Sequence, residues 1–156
     1  MKKMIVASLI LSAFSTMAAT SGNLNLKGNV AAINEISVAA ESDAQNLGIS
    51  VGSSNLKVAV VTEKCNDRDG YDIMMSSLNA GKLVHSLDAT KSTTYQLSYG
   101  AGAMASPTVT PTKIKSVASL SALTTVTSDV KISVTSAPNA IAGDYTDVVT
   151  FSIVAK

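Results

Sequence analysis

The chain has no tryptophan, one cysteine, one histidine and three prolines, and each scarcity excludes something. With Cys65 alone, no internal disulfide can form. In an exported chain such a residue is either an intermolecular or reactive thiol or a small buried apolar side chain at a strand end, and free cysteine commonly plays the second role. His85, the lone histidine, has neither the cysteine spacing nor the histidine cluster that a metal site or an activated nucleophile would use. Beside Lys82 and Asp88 it reads as a loop residue. No phosphate-binding glycine loop or His-Glu-x-x-His helix is present, and no nucleophile elbow is read. The chain is accordingly not expected to be an enzyme: no catalytic, cofactor-binding or metal-ligating residue is assigned, and no cofactor is expected.

Charge is scarce as well, at 15% of residues against about 25% in an average domain. The first stretch, residues 1–19, has Lys2 and Lys3 as a positive start, an apolar run from Met4 to Leu11 and small residues ending in Thr-Met-Ala-Ala, which is the pattern of a cleavable signal peptide. Its apolar run falls short of the roughly 20 residues of a membrane span. Cleavage is expected after Ala18 or Ala19, and no cysteine stands there to take a lipid. Subtracting Lys2 and Lys3 from the formal charge of +1 leaves −1 with no basic stripe, so a nucleic-acid partner is not expected.

What remains is rich in Ser, Thr, Val and Ala and alternates apolar with polar residues in several places, the period of half-buried strands. Leu24, Leu26, Gly28, Val30 and Ala32 share one face of an extended segment, with Asn23, Asn25, Lys27 and Asn29 on the other. Asn55 to Lys64 is a second strand. Gly70 to Ser77 places Tyr71, Ile73 and Met75 together, Thr94 to Tyr99 places Tyr95 and Leu97 with Tyr99, and Asp129 to Ser136 places Val130, Ile132 and Val134. Asp144 to Ala155 aligns Tyr145, Val149, Phe151 and Ile153, with Asp147 as the exception. Ala101 to Pro111 reads as a loop, and Ser116 to Thr125 as a short helical turn or a connection. Short strands between Gly, Asn, Asp, Ser and Pro clusters describe an all-β sandwich of two antiparallel sheets.

The acidic cluster Asn66-Asp67-Arg68-Asp69-Gly70-Tyr71-Asp72 invites comparison with a calcium loop. The register fails: with Gly70 as the turn glycine, Cys65 falls where the first carboxylate belongs and Ser76 where the bidentate glutamate belongs. A polar turn between strands accounts for the same residues.

The two ends of the chain together resemble chaperone-usher fimbrial (pilin) subunits. Leu24-Asn25-Leu26-Lys27-Gly28-Asn29-Val30-Ala31-Ala32 is similar to the N-terminal extension of such subunits. Ala142-Gly143-Asp144-Tyr145 and the strand through Ile153 resemble the final strand of colonisation-factor pilins and of spore coat protein U-like secreted domains. Type 1 pilins carry a paired disulfide that this chain cannot form, so the likeness is to disulfide-free relatives. The resemblance implies an immunoglobulin-like antiparallel β-sandwich that is incomplete and is completed by donor-strand exchange. It divides the chain into a signal peptide (1–19), an N-terminal extension or donor strand (20–33) and a sandwich domain (34–156). It implies that Leu24, Leu26, Gly28 and Val30 enter a neighbour's groove and that Tyr145, Val149, Phe151 and Ile153 form the groove-edge strand that a chaperone pairs with. The partners implied are further copies of the chain in a head-to-tail polymer, a periplasmic chaperone, an outer-membrane usher and a host receptor. The implied location is the periplasm in transit, then a surface fimbrium or the extracellular space. Alternation alone fits equally well a self-complete secreted or periplasmic β-sandwich acting as a binding or adhesion module, with residues 24–32 as its own first strand.

Overall fold

A computed structural model describes residues 21–156, and the expected signal peptide lies outside them. None of the described helices is long and apolar enough to cross a membrane. Residues Ala31–Lys156 form a compact unit, an all-β antiparallel sandwich whose sheets curl into a half-barrel. Nine strands build it: β1 (Asn34–Ala40), β2 (Ser53–Cys65), β3 (Tyr71–Ser77), β4 (Lys82–His85), β5 (Asp88–Tyr99), β6 (Thr112–Val117), β7 (Thr124–Val134), β8 (Tyr145–Thr146) and β9 (Val149–Ala155). The larger sheet runs β1-β2-β7-β5-β4-β8, and the smaller one β6-β3-β9.

The core follows from the period-2 pattern, because alternate side chains of a strand face the same side. Val61 and Cys65 on β2, Tyr71, Ile73 and Met75 on β3, Tyr95, Leu97 and Tyr99 on β5, and Val130, Ile132 and Val134 on β7 are all buried between the sheets. Removing side chains of this size from water stabilises by about 1.5–3 kcal/mol each.

Cys65 is fully buried at the end of β2, where its thiol donates to Asn34 Oδ1 at 2.9 Å. The turn after it is held by Asp67, whose carboxylate accepts from the Asp69 N–H at 3.0 Å while its carbonyl accepts from Gly70 N–H at 3.1 Å. Gly70 has φ +85°, and a Cβ there would lie 2.1 Å from the Val117 carbonyl oxygen. Only glycine fits.

Four expectations need correcting. The first strand is Asn34–Ala40 and not Leu24 to Ala32, since residues 34–40 occupy the whole free edge of β2 from Cys65 to Ala59. Among the described residues no strand precedes Asn34. Ser116 and Val117 end β6, a strand not anticipated, and Thr124 and Thr125 begin β7, so only the stretch between them is a connection. The last strand is split into β8 and β9 around Asp147 and Val148. His85 is no loop residue: it ends β4, only 5% exposed.

Candidate functional site

Strands β1 and β9 are the edges of their sheets, run close together and share no hydrogen-bond ladder. Between them opens a groove of about 790 Å³. Val38 and Ala40 of β1 form one wall, which Ala44, Leu47 and Ile49 continue past a short 3₁₀ helix (Ser42–Gln45). Tyr145, Val149 and Phe151 form the other wall. The floor is apolar: Val58 and Ala59 from β2, Leu83 from β4, Tyr95 and Leu97 from β5, Val130 and Ile132 from β7. Ile36 on β1 and Ile153 on β9 lie outside the groove lining and are half-buried against the core. Val38, at 50% exposed, marks the open part.

The β8–β9 wall is shaped by Asp147. Its carboxylate accepts from Ser77 Oγ and Tyr95 Oη, both at 2.6 Å, and from the backbone N–H groups of Asn79 at 3.0 Å and Val148 at 2.7 Å. A polar residue at a position that alternation assigns to the core therefore ends one strand and restarts the next. Burial first, and the Asp147 carboxylate second, push the Tyr95 phenol well above its ordinary value.

His85 fixes the segment just before β8. Its Nδ1 accepts from the N–H groups of Leu87 and Asp88 at 3.2 and 3.1 Å, which leaves Nε2 to donate to the Ala142 carbonyl at 3.1 Å. The ring packs edge-on against Tyr145, centroids 5.0 Å apart. Those contacts are structural. Gly48-Ile49-Ser50-Val51-Gly52 has the spacing of a nucleophile elbow, which needs a strand-to-helix turn. Here it forms the turn leading into β2, so that geometry is missing.

Of the residues assigned from the sequence, Tyr145 of β8 and Val149 and Phe151 of β9 come together as a groove wall, and Ile153, also on β9, packs against the core. One edge of β9 is paired with β3 from Ser77 to Tyr71, and among the described residues no strand pairs with its other edge. Leu24, Leu26 and Val30 lie in a stretch without regular structure and are 81%, 85% and 84% exposed, and Gly28 has open space around its Cα. The opposite wall, Val38, Ala40, Leu47 and Ile49, was not read from the sequence. Its signal was there: Ile36, Val38 and Ala40 continue the parity of Leu24 to Ala32.

Such an arrangement can bind an extended peptide: two unpaired backbone edges flank an apolar floor, the geometry that strand addition uses. No protein-family model matches the chain, and a comparison with curated proteins finds no match.

Proposed function

We propose that the chain is the structural subunit of a fimbria-like surface fibre assembled by donor-strand complementation, of the kind the chaperone-usher pilins use. One observation carries this reading: an apolar groove lies open between two unpaired strand edges in a protein that also has an exposed arm of alternating apolar residues. A self-complete sandwich has a use for neither. Filling the groove with a neighbour's residues 24–30 satisfies backbone groups on β1 and β9 and buries Leu24, Leu26 and Val30 at once. Gly28 lets two backbones approach closely.

Polarity supports the same reading. The arm joins the sandwich at Asn34, which pairs with Cys65, while the groove is lined by Ala40 at the other end of β1, about 20 Å away, and by Val149 at the start of β9. A neighbour's arm therefore enters with its N-terminal end leading and runs antiparallel to β9. Contacts between unlike ends of a subunit do not close, so repetition makes a fibre. Until that happens the groove needs covering, and a periplasmic chaperone would pair along the free edge of β9 before an outer-membrane usher releases the subunit. The location that follows is the periplasm, then the cell surface.

A synthetic peptide of residues 20–32 titrated onto the domain 31–156 tests the idea. Saturable binding with a rise in thermal midpoint is expected, and the Leu26→Asp peptide should bind at least about a hundredfold more weakly because it buries an unpaired carboxylate. Equal binding of both peptides, or of neither, would contradict the assignment.

A further inference from the structure

An arm tethered to its own domain sits at an effective concentration in the millimolar range for that domain's groove. Subunits at micromolar concentration could not compete with that unless something prevented the arm from folding back. An obstacle placed where the arm joins the sandwich would serve, and the side chain of one residue there ties down the backbone at both ends of 31–33.

Asn66 is the first residue after β2. Its side-chain Oδ1 accepts from the Ile33 N–H at 2.7 Å, its Nδ2 donates to the Ala31 carbonyl at 2.8 Å, and its own N–H donates to the Ile33 carbonyl at 3.1 Å. Next to them, Asn34 faces Cys65 in the β1–β2 ladder and takes the thiol's hydrogen bond. The asparagine side chain thus acts as an extra strand residue. It extends the ladder beyond the end of β2 and holds residues 31–33 in line with β1, directed away from the open part of the groove. For the arm to double back along β1, the chain must turn at 31–33, and all three hydrogen bonds must break first.

We infer that Asn66 is a latch that keeps the subunit from filling its own groove and so commits it to a second copy. The inference rests on the fibre reading above and deepens it: Asn66 is a positioning residue that never touches the bound arm. It differs from an ordinary turn residue in its consequence, because it sets which groove is filled and not how stable the sandwich is.

The experiment uses the mature chain, residues 20–156, with Asn66→Ala and Asn66→Asp. Native mass gives the partition between monomer and polymer, and hydrogen exchange of the amides at 24–30 in the monomer fraction shows whether the arm has found its own groove. Asn66→Ala should raise the closed, arm-protected monomer roughly tenfold or more, as expected for two ordinary hydrogen bonds lost. Asn66→Asp keeps the acceptor for Ile33 and loses the donor to Ala31, so it should fall between wild type and Asn66→Ala, and it decides the matter if the alanine variant does not fold. Arm amides as unprotected in the variants as in wild type would overturn the latch. If wild type forms no polymer and yet the variants protect their arms, the fibre reading fails and the latch stands.

Discussion

Glu63 has no solvent contact, yet it joins the two sheets: from β2 its carboxylate meets Tyr71 Oη of β3 at 2.6 Å, Tyr99 Oη of β5 at 2.5 Å and Lys115 Nζ of β6 at 2.7 Å. In a sandwich that cannot form an internal disulfide, this buried cluster is a polar tie between the layers. Burial alone would raise the Glu63 carboxyl, but the hydrogen bonds from Lys115, Tyr71 and Tyr99 outweigh it and hold it below the usual glutamate value. A carboxyl depressed by folding adds stability above its unfolded value, near pH 4.3, and that stability is lost as pH falls through the folded value. The urea midpoint should therefore be flat from pH 7 to about 5 and fall below about pH 4. Lys115→Met should cost about 3 kcal/mol at pH 7 and move the acid limb to higher pH, since burial then acts on the carboxyl with less opposition. An unchanged pH profile would show that the pair is not coupled. Gly143 is a second test at this scale: a Cβ there would lie 2.1 Å from His85 Nε2, at φ +145°. Gly143→Ala should cost about 2 kcal/mol or more in chemical denaturation, because it displaces the ring that holds the Ala142 carbonyl.

Edges, not the core, distinguish the strands from those of a closed sandwich. Val149→Lys places a charge on the inward face of an unpaired edge. The lone domain should keep its fold, because lysine can carry its ammonium out of an open groove, while binding of the 20–32 peptide should be lost. Retained binding, measured by calorimetry, would move the site away from β9. The paired strands were legible because their alternation is clean: Tyr71, Ile73 and Met75, Tyr95, Leu97 and Tyr99, and Val130, Ile132 and Val134 face the core as the pattern requires. Strand β6 was not legible, because Lys115 points inward to Glu63 and reads as polar on a face that should be apolar. Strand β1 was hidden differently. One parity runs from Leu24 to Ala40, and alternation alone cannot tell which half pairs within the chain and which half is left over. Asp147 looked like a flaw in a strand and is the residue that ends it, through long-range hydrogen bonds to Ser77 and Tyr95 that no local pattern encodes.

At the scale of the whole molecule, the root of the arm and the open groove lie at opposite ends of β1, and the account depends on that separation. The most direct test is the native mass of residues 20–156 compared with that of residues 31–156 at the same micromolar concentration, with electron microscopy of the larger species. The account predicts linear polymers from the first and monomers from the second, with assembly of the first lost on Leu26→Asp. Stable monomers from both chains, with equal thermal midpoints, would contradict it.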